Sequence, residues 1–342
     1  SRTSSGFILK RPDPLEGSGR FFMGSFMFVE INQALEKIRN VGWISRSEWP
    51  TNAEISPSEV DLSESEGRLL RSVPADELDV AKMQSLAQAA GLDLAIEYFP
   101  VIDSTNQLLM RRIRVESADT TLMVCDYQCA GRGRRGRHWV SPYARSLAFS
   151  YAHTSSKALH ELGGLSCVVG LAVLDVLVEL GVKDGRLKWP NDVWIEASKL
   201  AGILVELANN GSSTVVIVGV GLNVALKPEE RALVDQPIAD LRSRGVILDR
   251  STLVLLFVQK IISYLEHFEK SGFAAFRSAF DAMHLLHQQH VVVHSAIAGE
   301  STGARGRVAG VGDSGQLLLE TSKGVEELLG GEVSLRPAET IE

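Results

Sequence analysis

The spacing of apolar residues predicts two helices in the first ninety residues of the chain. Between residues 28 and 42, isoleucine and leucine side chains recur at helical spacing and a glycine closes the run. Residues 43–66 are polar and rich in Ser, Glu and Pro, which is typical of a loop. A second helix is predicted from Ala75 to Ala90, because a proline precedes it and a glycine follows it.

Beyond residue 91 the pattern alternates between short apolar runs and helical periods. Strands are predicted at 94–102, 120–128, 146–152, 186–196, 199–208 and 213–226, and helices at 104–113, 163–180, 251–269 and 273–284. The strands at 186–196, 199–208 and 213–226 are separated by turn residues, which favours a sheet built from hairpins. The helix at 163–180 is apolar enough to lie under the sheet. The tail has short strands separated by glycines, as in a small β-barrel. The fold class is therefore α+β, with a central mixed or antiparallel sheet.

Composition narrows the class of protein. The 342 residues are 45% hydrophobic, enough for two or three domains, and the net charge of -7 gives no general attraction to nucleic acid or membranes. Three cysteines, Cys125, Cys129 and Cys167, lack zinc-like spacing and fit a reducing compartment. Without a long apolar run or a secretory signal, we expect a cytoplasmic protein with no membrane contact. Residues 1–22 are interpreted as a disordered or artificial extension.

The segment Gly131–Arg137, with the sequence GRGRRGR, carries the strongest chemical signal. Its glycines allow the backbone to approach a ligand, and its four guanidinium groups suit phosphate or carboxylate oxygens. An arginine–glycine segment that binds nucleic acid and a merely solvated loop are the alternatives. The position between two predicted strands favours an anion-binding loop inside a folded domain.

Three further motifs contain polar residues at strand ends. KWPND at 188–192 is followed by KLAGILVE at 199–206, where two lysines could neutralise phosphate or carboxylate charge and Gly202 could admit an apolar ligand. An ordinary hairpin explains the same residues. GVGLN at 219–223 allows close approach to a strand end, and DSTN at 103–106 is equally compatible with helix capping.

Taken in order, DSTNQ, YQxAGRGRRGRxW, KWPND, KLAGILVE, GxGxN and GGExSLR resemble the biotin protein ligases, specifically the bifunctional bacterial type that also represses the biotin operon. The resemblance spans roughly residues 75–337. It implies a degenerate winged-helix-like segment at 23–74, a class II synthetase-like biotin and ATP domain at 75–272, and a C-terminal helix with a small SH3-like barrel at 273–342.

The resemblance also implies a two-step reaction. Biotin and ATP form biotinyl-5′-AMP and pyrophosphate, with Mg²⁺, and a lysine of a biotin carboxyl carrier protein of acetyl-CoA carboxylase then takes the biotinyl group. Catalysis would rest on placement and charge neutralisation. Arg134, Lys199 and Lys188 are the implied catalytic residues, and no dedicated metal-ligating residues are implied. The implied ligand-binding residues are Ser104, Thr105, Asn106, Gln128, Gly131, Arg132, Gly133, Arg137, Trp139, Asn191, Gly202, Leu204, Gly219, Gly221 and Asn223.

Within that set, the resemblance gives each group a part of the ligand. The neutral side chains of Ser104, Thr105, Asn106 and Gln128 would hold the ureido ring. Arg134 would hold the adenylate and Lys199 the biotin carboxylate and α-phosphate. Lys188, Asn191 and Asn223 would serve the nucleotide and its Mg²⁺, Arg137 would contact the triphosphate, and Gly202, Leu204, Gly219 and Gly221 would line the biotin slot. Asp192 is the nearest candidate for a general base.

Two features depart from the family pattern. Ile238 stands where the bifunctional members commonly carry a tryptophan near the adenine, which removes an aromatic face. Residues 1–74 contain nine Lys/Arg and ten Asp/Glu, unlike a basic DNA-binding domain, and their first part does not match a winged helix. A ligand-dependent homodimer is expected. The alternatives are a biotin-responsive repressor that binds operator DNA, and a lipoate-type ligase.

Overall fold

The computed structural model describes residues 19–50, 55–71, 75–113, 120–209, 213–295, 305–329 and 333–337. These residues form two compact units. The first lies within residues 1–72 without 59–61, and the second contains 59–61 and 73–342. The finer domain boundaries proposed from the sequence, at residues 22 and 272, remain predictions.

The first unit consists of one long helix and a small antiparallel sheet. Its elements are α1 (Gly19–Val41), β1 (Trp43–Ser45), β2 (Leu62–Ser65) and β3 (Arg68–Arg71), with strand order β1-β3-β2. The helix ends where the sequence predicts. It begins at Gly19, nine residues before the predicted start at residue 28 and within residues 1–22, which were expected to be a disordered extension. The run preceding residue 28 is mostly apolar, with Arg20 and Ser25 in it, and it shows no helical period, so periodicity could not locate the helix start.

The second unit begins with α2 (Val80–Ala89), which is shorter than predicted. The carboxylate of Asp79 accepts a hydrogen bond from the backbone N–H of Lys82 at 3.0 Å and so caps the helix five residues after the predicted start. Residues 75–78 precede this cap and are not helical. The prediction that the helix begins at Ala75 was therefore wrong, since the capping side chain and not the proline fixes the first turn.

A seven-stranded mixed sheet forms the centre of the second unit. Its strands are β4 (Ala95–Ile102), β5 (Thr121–Gln128), β6 (Ser146–Ser155), β7 (Gly185–Lys188), β8 (Asp192–Ile195), β9 (Ser198–Asn209) and β10 (Thr214–Asn223), in the order β4-β5-β6-β10-β9-β8-β7. Only the β4–β5 pair is parallel among these described strands. The antiparallel hairpins predicted from the turn residues are confirmed.

Helices cover both faces of this sheet. The helices of the unit after α2 are α3 (Thr105–Ile113), α4 (Leu165–Glu179), α5 (Pro228–Arg231), α6 (Arg250–Ser271) and α7 (Arg277–Met283). Helices α4 and α6 pack on one face of the sheet and form the larger apolar core with it. Helix α4 is buried along most of its length, as its composition predicted. Helix α3 packs on the opposite face, against a smaller core. The strand motifs that the sequence predicts to bind ligands place their candidate residues on the α3 face.

A buried ion pair attaches α6 to the sheet. The Arg250 guanidinium contacts the carboxylate of Asp126, and both side chains are fully buried. Arg250 also donates to the backbone carbonyls of Ser146, Cys125 and Asp76. Because its charge and its N–H groups are matched, this arginine can lie in the interior.

The described residues from 290 onward form a five-stranded antiparallel sheet, which confirms the short strands predicted for this region, while a separate barrel domain remains a prediction. Its strands are β11 (His290–Ser295), β12 (Arg305–Val311), β13 (Leu317–Thr321), β14 (Gly324–Leu328) and β15 (Val333–Pro337), in the order β14-β13-β12-β11-β15. No helix in the described ranges combines the length and the apolar character that crossing a membrane requires.

Candidate active site

The strand register brings small and charged residues into one row across the α3 face. Gly221 pairs with Ala148 on one side and with Gly202 on the other, Gly202 pairs with Asp192, and Asp192 pairs with Lys188. Directly paired residues of antiparallel strands point to the same side of a sheet. The row therefore runs from two glycines to a carboxylate and a lysine.

The glycines form a floor on which the indole of Trp139 rests. A Cβ atom at Gly221 would lie 2.4 Å from the Trp139 ring, and one at Gly202 would lie 3.3 Å from it. Gly219, one row further along, pairs with Leu204. The absence of side chains at these three positions makes room on the sheet for the Trp139 indole and the Asn106 amide, and we call this glycine-floored strip the slot. That Gly202, Leu204, Gly219 and Gly221 line a bound ligand remains a prediction.

Neutral hydrogen-bonding side chains close one end of the slot. The Gln128 carbonyl oxygen accepts from the backbone N–H of Thr105 at 2.9 Å and from its hydroxyl at 3.1 Å. The Ser150 hydroxyl lies 2.7 Å from the Thr105 hydroxyl oxygen and also contacts the Asn106 carbonyl oxygen. All four residues are buried. Since the Gln128 oxygen faces Thr105, its NH₂ group points away from that contact and can donate to a ligand.

Asn106 is held flat against the floor. Its NH₂ group donates to the Leu204 carbonyl at 3.1 Å and to the Glu206 carboxylate at 2.9 Å. A Cβ atom at Gly219 would lie only 2.2 Å from the Asn106 amide oxygen. The amide thus occupies the space that any side chain at this strand position would need.

Charged side chains occupy the other end of the slot. The Lys199 ammonium lies 2.8 Å from the Asp192 carboxylate and 5.7 Å from the centroid of the Trp139 ring. Both charged side chains are mostly buried. A lysine held between a carboxylate and an indole is well placed to meet an anion that enters along the glycine floor.

The glycine–arginine loop is a small hairpin that folds over this end. Gly131 and Trp139 are joined at its base by a hydrogen bond of 2.9 Å, and the Gly133 N–H donates to the Arg137 carbonyl at 2.7 Å. Near the tip, Arg134 turns inward and donates to the Asn191 side-chain oxygen at 3.3 Å.

Arg134 and Asn191 together join the hairpin to the sheet. The Asn191 NH₂ group donates to the Ile203 carbonyl at 2.7 Å, which fixes the orientation of its amide. Burial lowers the pKa of Arg134, while the nearby Asp192 carboxylate opposes that effect. The guanidinium remains a cation at neutral pH because its ordinary pKa is so high.

Other residues proposed from the sequence lie around this centre in different ways. Ser104 is buried beside Thr105. Arg132 and Arg137 are exposed on the hairpin, and no described contact brings them to Lys199. The Asn223 NH₂ group donates to the Ala239 carbonyl at 3.0 Å, so it secures a backbone segment.

Ile238 belongs to that same segment. It forms a parallel bridge with Lys199, and the Pro237 carbonyl accepts a hydrogen bond from the Lys199 N–H at 2.9 Å. The position expected for the adenine-packing tryptophan is therefore next to the lysine of the slot, and here it carries a half-buried aliphatic side chain.

The C-terminal sheet supports the KWPND turn. The buried Trp189 indole N–H donates to the Gly315 carbonyl at 3.0 Å, and Gly164 and Gly315 are so close that a Cβ on the latter would lie 2.4 Å from the former. The turn that carries Asn191 and Asp192 is thus braced by the small β domain.

Three residues of the site were missed by sequence reasoning, namely Ser150, Glu206 and Trp194. Each is a polar or aromatic residue within an apolar strand, and the strand register places its side chain on the same face of the sheet as α3. That alternation was the available signal, but it identifies a face only when the partner strands are known.

Comparisons with known proteins identify the family of the chain. Residues 98–223 match the model of the Biotin/lipoate A/B protein ligase family. The chain is 38% identical over 258 residues to the bifunctional ligase/repressor BirA of Escherichia coli strain K12, covering 75% of this chain and 78% of that protein. It is 30% identical to a biotin–[acetyl-CoA-carboxylase] ligase of Paracoccus denitrificans, covering 68% of this chain and 96% of the relative.

A solved structure shows the same fold. The biotin protein ligase from Aquifex aeolicus in complex with biotin and ATP superposes with a TM-score of 0.61 at 30% identity, covering 71% of this chain and 99% of that chain. The resemblance to the biotin protein ligases is thereby confirmed, while the roles of the single site residues remain predictions. The chain belongs to the biotin protein ligase family.

Proposed function

We propose that this protein activates biotin with ATP and transfers the biotinyl group to a lysine of an acceptor protein. The observation that carries the proposal is the slot itself, which has neutral hydrogen-bonding groups at one end, cations at the other and a glycine floor between them. Biotin has a neutral ureido ring and a carboxylate at opposite ends of an apolar body, so its chemistry matches that arrangement.

In the first step, a carboxylate oxygen of biotin attacks the α-phosphorus of ATP. The bond from that phosphorus to the α–β bridging oxygen breaks, and pyrophosphate leaves with the electron pair. Lys199 would contact the carboxylate and the α-phosphate, and Arg134 would hold the adenylate. These cations reduce the repulsion between two anions, which is the main obstacle to the reaction.

At the neutral end, Thr105 and Gln128 would bind the ureido ring, with Ser104 and Asn106 beside them. The Gln128 NH₂ group supplies a donor for the ureido oxygen, and hydroxyl groups can accept or donate as the ring requires. Gly131, Arg132 and Gly133 would cover the ligand from the hairpin. Ser150 orients Thr105 and Asn106 from below.

The charged end fits a Mg²⁺ ion carried by ATP. Mg²⁺ is usually held by one or two carboxylates together with substrate phosphates. Asp192 and the Asn191 amide oxygen supply suitable oxygens here, and no cluster of acidic, histidine or cysteine ligands in the described chain could hold a metal alone. When bound, the ion would neutralise phosphate charge.

In the second step, the amine of the acceptor lysine attacks the acyl carbon and AMP leaves. Asp192 is the carboxylate next to Lys199 and would accept the proton of the attacking amine. By analogy with the relatives named for acetyl-CoA carboxylase, we propose a biotin carboxyl carrier domain as the acceptor. A ligand-dependent homodimer and a cytoplasmic location, the latter supported by three free thiols, complete the proposal.

The proposal is tested by biotin-dependent exchange between ATP and pyrophosphate. An avidin blot of the protein mixed with ATP, Mg²⁺, biotin and a carrier domain then tests transfer. We expect both activities. Exchange driven by lipoate but not by biotin would replace the proposal with a lipoate-type ligase.

DNA binding is a second candidate function for the first unit. A helix followed by a three-stranded antiparallel sheet corresponds to the recognition helix and wing of a winged helix, with the β2–β3 hairpin as the wing, while the described residues of this unit contain no second α-helix for a helix-turn-helix. The test is a mobility-shift assay with palindromic operator DNA, with and without biotin and ATP. A biotin-enhanced, salt-sensitive and sequence-selective complex would support a repressor, and its absence at physiological salt would exclude one.

A further inference from the structure

The neutral end of the slot has fewer hydroxyl hydrogens than oxygen contacts. The Thr105 hydroxyl lies 3.1 Å from the Gln128 carbonyl oxygen, and the Ser150 hydroxyl contacts both the Thr105 hydroxyl, at 2.7 Å, and the Asn106 carbonyl oxygen. Amide oxygens can only accept, and each hydroxyl has a single hydrogen to donate. Two hydrogens therefore serve three contacts between oxygens.

The Asn106 amide could supply the missing hydrogen only if it were rotated so that its NH₂ group faced Ser150. Two acceptors oppose that rotation. The NH₂ group donates to the Leu204 carbonyl at 3.1 Å and to the Glu206 carboxylate at 2.9 Å, which uses both of its hydrogens. In a rotated amide the oxygen would face these same two acceptors, and the carboxylate forms the stronger hydrogen bond of the two.

The strand register explains why Glu206 reaches this cluster. Leu204 pairs with Gly219, and Gly219 pairs with Ser150 on the other side, so these residues form one row across the sheet. Glu206 lies two positions further along β9, and alternate residues of a strand point to the same face. Gly219 leaves the space that the Asn106 amide occupies. The carboxylate and the Ser150 hydroxyl therefore hold the two polar groups of one amide.

A buried cluster that is short of hydrogens favours a ligand that donates one. A ligand N–H group supplies a hydrogen to an oxygen that otherwise shares one, whereas a ligand oxygen at the same place would add an acceptor to a group that already lacks donors. A ureido ring has two N–H groups and the dithiolane ring of lipoate has none. The cluster is therefore suited to tell these two kinds of ligand apart.

We propose that Glu206 is a positioning residue that determines specificity, because it holds the Asn106 amide in the orientation that keeps the neutral end of the slot short of hydrogens. The inference rests on the proposed function and deepens it, since it names what selects a ring with N–H groups. Glu206 acts through Asn106 and Ser150 and does not itself touch the ligand.

The test compares Glu206→Leu with Glu206→Gln. Leucine removes the acceptor, so the amide can rotate at the loss of a single hydrogen bond to the Leu204 carbonyl, whereas glutamine keeps an accepting oxygen at the same reach. The two ligands are biotin and its cyclic carbonate analogue, in which oxygen atoms replace both ureido N–H groups. Their dissociation constants are measured by calorimetry, with biotin titrated into protein that already contains the analogue.

We expect wild-type protein to prefer biotin strongly over the carbonate analogue. Glu206→Leu should raise the dissociation constant for biotin by about fivefold, the value of one hydrogen bond. The constant for the analogue should stay the same or fall, so the preference for biotin falls by about fivefold or more. Glu206→Gln should keep most of the preference, and the KM for ATP in the exchange reaction should stay within twofold in both variants.

Glu97 offers a matched control. Its carboxylate contacts the Arg112 guanidinium at the other end of α3, and both side chains are partly buried. Glu97→Leu therefore removes a carboxylate that holds the same helix without touching the cluster, and the preference for biotin should stay within twofold of wild type. Thermal melting of each variant checks that the protein remains folded.

Glu206→Met serves as a second variant if Glu206→Leu does not fold, and the same loss of preference is expected. A preference within twofold of wild type in the leucine or methionine variant, an equal loss in Glu206→Gln, or equal weakening of both ligands would each overturn the proposal. A wild-type protein that binds biotin but shows no biotin-dependent exchange would instead overturn the proposed function.

Discussion

Gly219→Ala tests the neutral end of the slot, because it adds a single methyl group. The new Cβ would lie 2.2 Å from the Asn106 amide oxygen, whereas ordinary contacts begin at 3.4 Å, so the amide must move by about 1.2 Å (3.4 minus 2.2). That movement breaks the contacts of Asn106 with Ser150 and Glu206. Losing two hydrogen bonds within the protein, at about 1 kcal/mol each, lowers the free energy of unfolding by about 2 kcal/mol. The displaced amide would also lose its contact with the ureido ring, and one hydrogen bond of about 1 kcal/mol corresponds to roughly a fivefold rise in the KM for biotin.

The fold itself should tolerate this substitution. The backbone at position 219 lies in a regular strand, where alanine is about 0.5–1 kcal/mol more favourable than glycine. The assay is biotin-dependent exchange together with urea unfolding. Gly170→Ala is the control, since its Cβ would meet a Leu187 methyl at 2.9 Å on the opposite face and should affect stability alone. A stable Gly219→Ala variant whose KM for biotin stays within twofold of wild type would refute the assignment of Asn106 to the slot.

Three further predictions concern charge. Arg134→Ala should greatly reduce labelling of a carrier domain on avidin blots while the melting temperature changes little, and wild-type labelling would contradict its role. Arg250→Met leaves Asp126 buried without its cation and should lower the free energy of unfolding by about 3–5 kcal/mol, measured by urea unfolding; a loss below 1 kcal/mol would show that the pair is not a major contributor. Burial, with a smaller effect of His287, lowers the pKa of His284 to about 3. Below pH 6.5 the unfolded chain therefore binds more protons at this histidine than the folded chain does, and the protein becomes less stable as the pH is lowered. Between pH 6.5 and 5 the loss should be about 2 kcal/mol, and His284→Leu should abolish this part of the pH dependence while leaving any contribution of Asp281; an unchanged slope would disprove the cause.

The central sheet could be predicted because its strands carry continuous apolar runs between turn residues. Helix α4 was equally clear, since it is apolar on every side. Helix starts were harder. Asp79 caps α2 through a side-chain hydrogen bond, and the apolar run that begins α1 has no period, so neither start followed from spacing alone.

The site residues could be named from motifs, but their partners could not. Asn106 meets Glu206 across a hundred residues of sequence, and Arg250 meets Asp126 across more. Such contacts depend on strand order and register, which no local pattern encodes. Asn223 shows the same limit. Its place in the motif implied contact with the nucleotide, but its amide NH₂ group donates a hydrogen bond to the Ala239 carbonyl.

The geometry of the slot explains why so many glycines are needed between its two ends. On the proposed function, the neutral end binds the ureido ring, while at the charged end Lys199 is paired with Asp192 until a substrate arrives. An anion entering along the floor competes with Asp192 for the same ammonium, and it can do so only if it approaches within hydrogen-bonding distance. Side chains at Gly202 or Gly221 would displace Trp139 or fill that path. On the proposed function, the glycines would therefore serve catalysis at the charged end as much as binding at the neutral end.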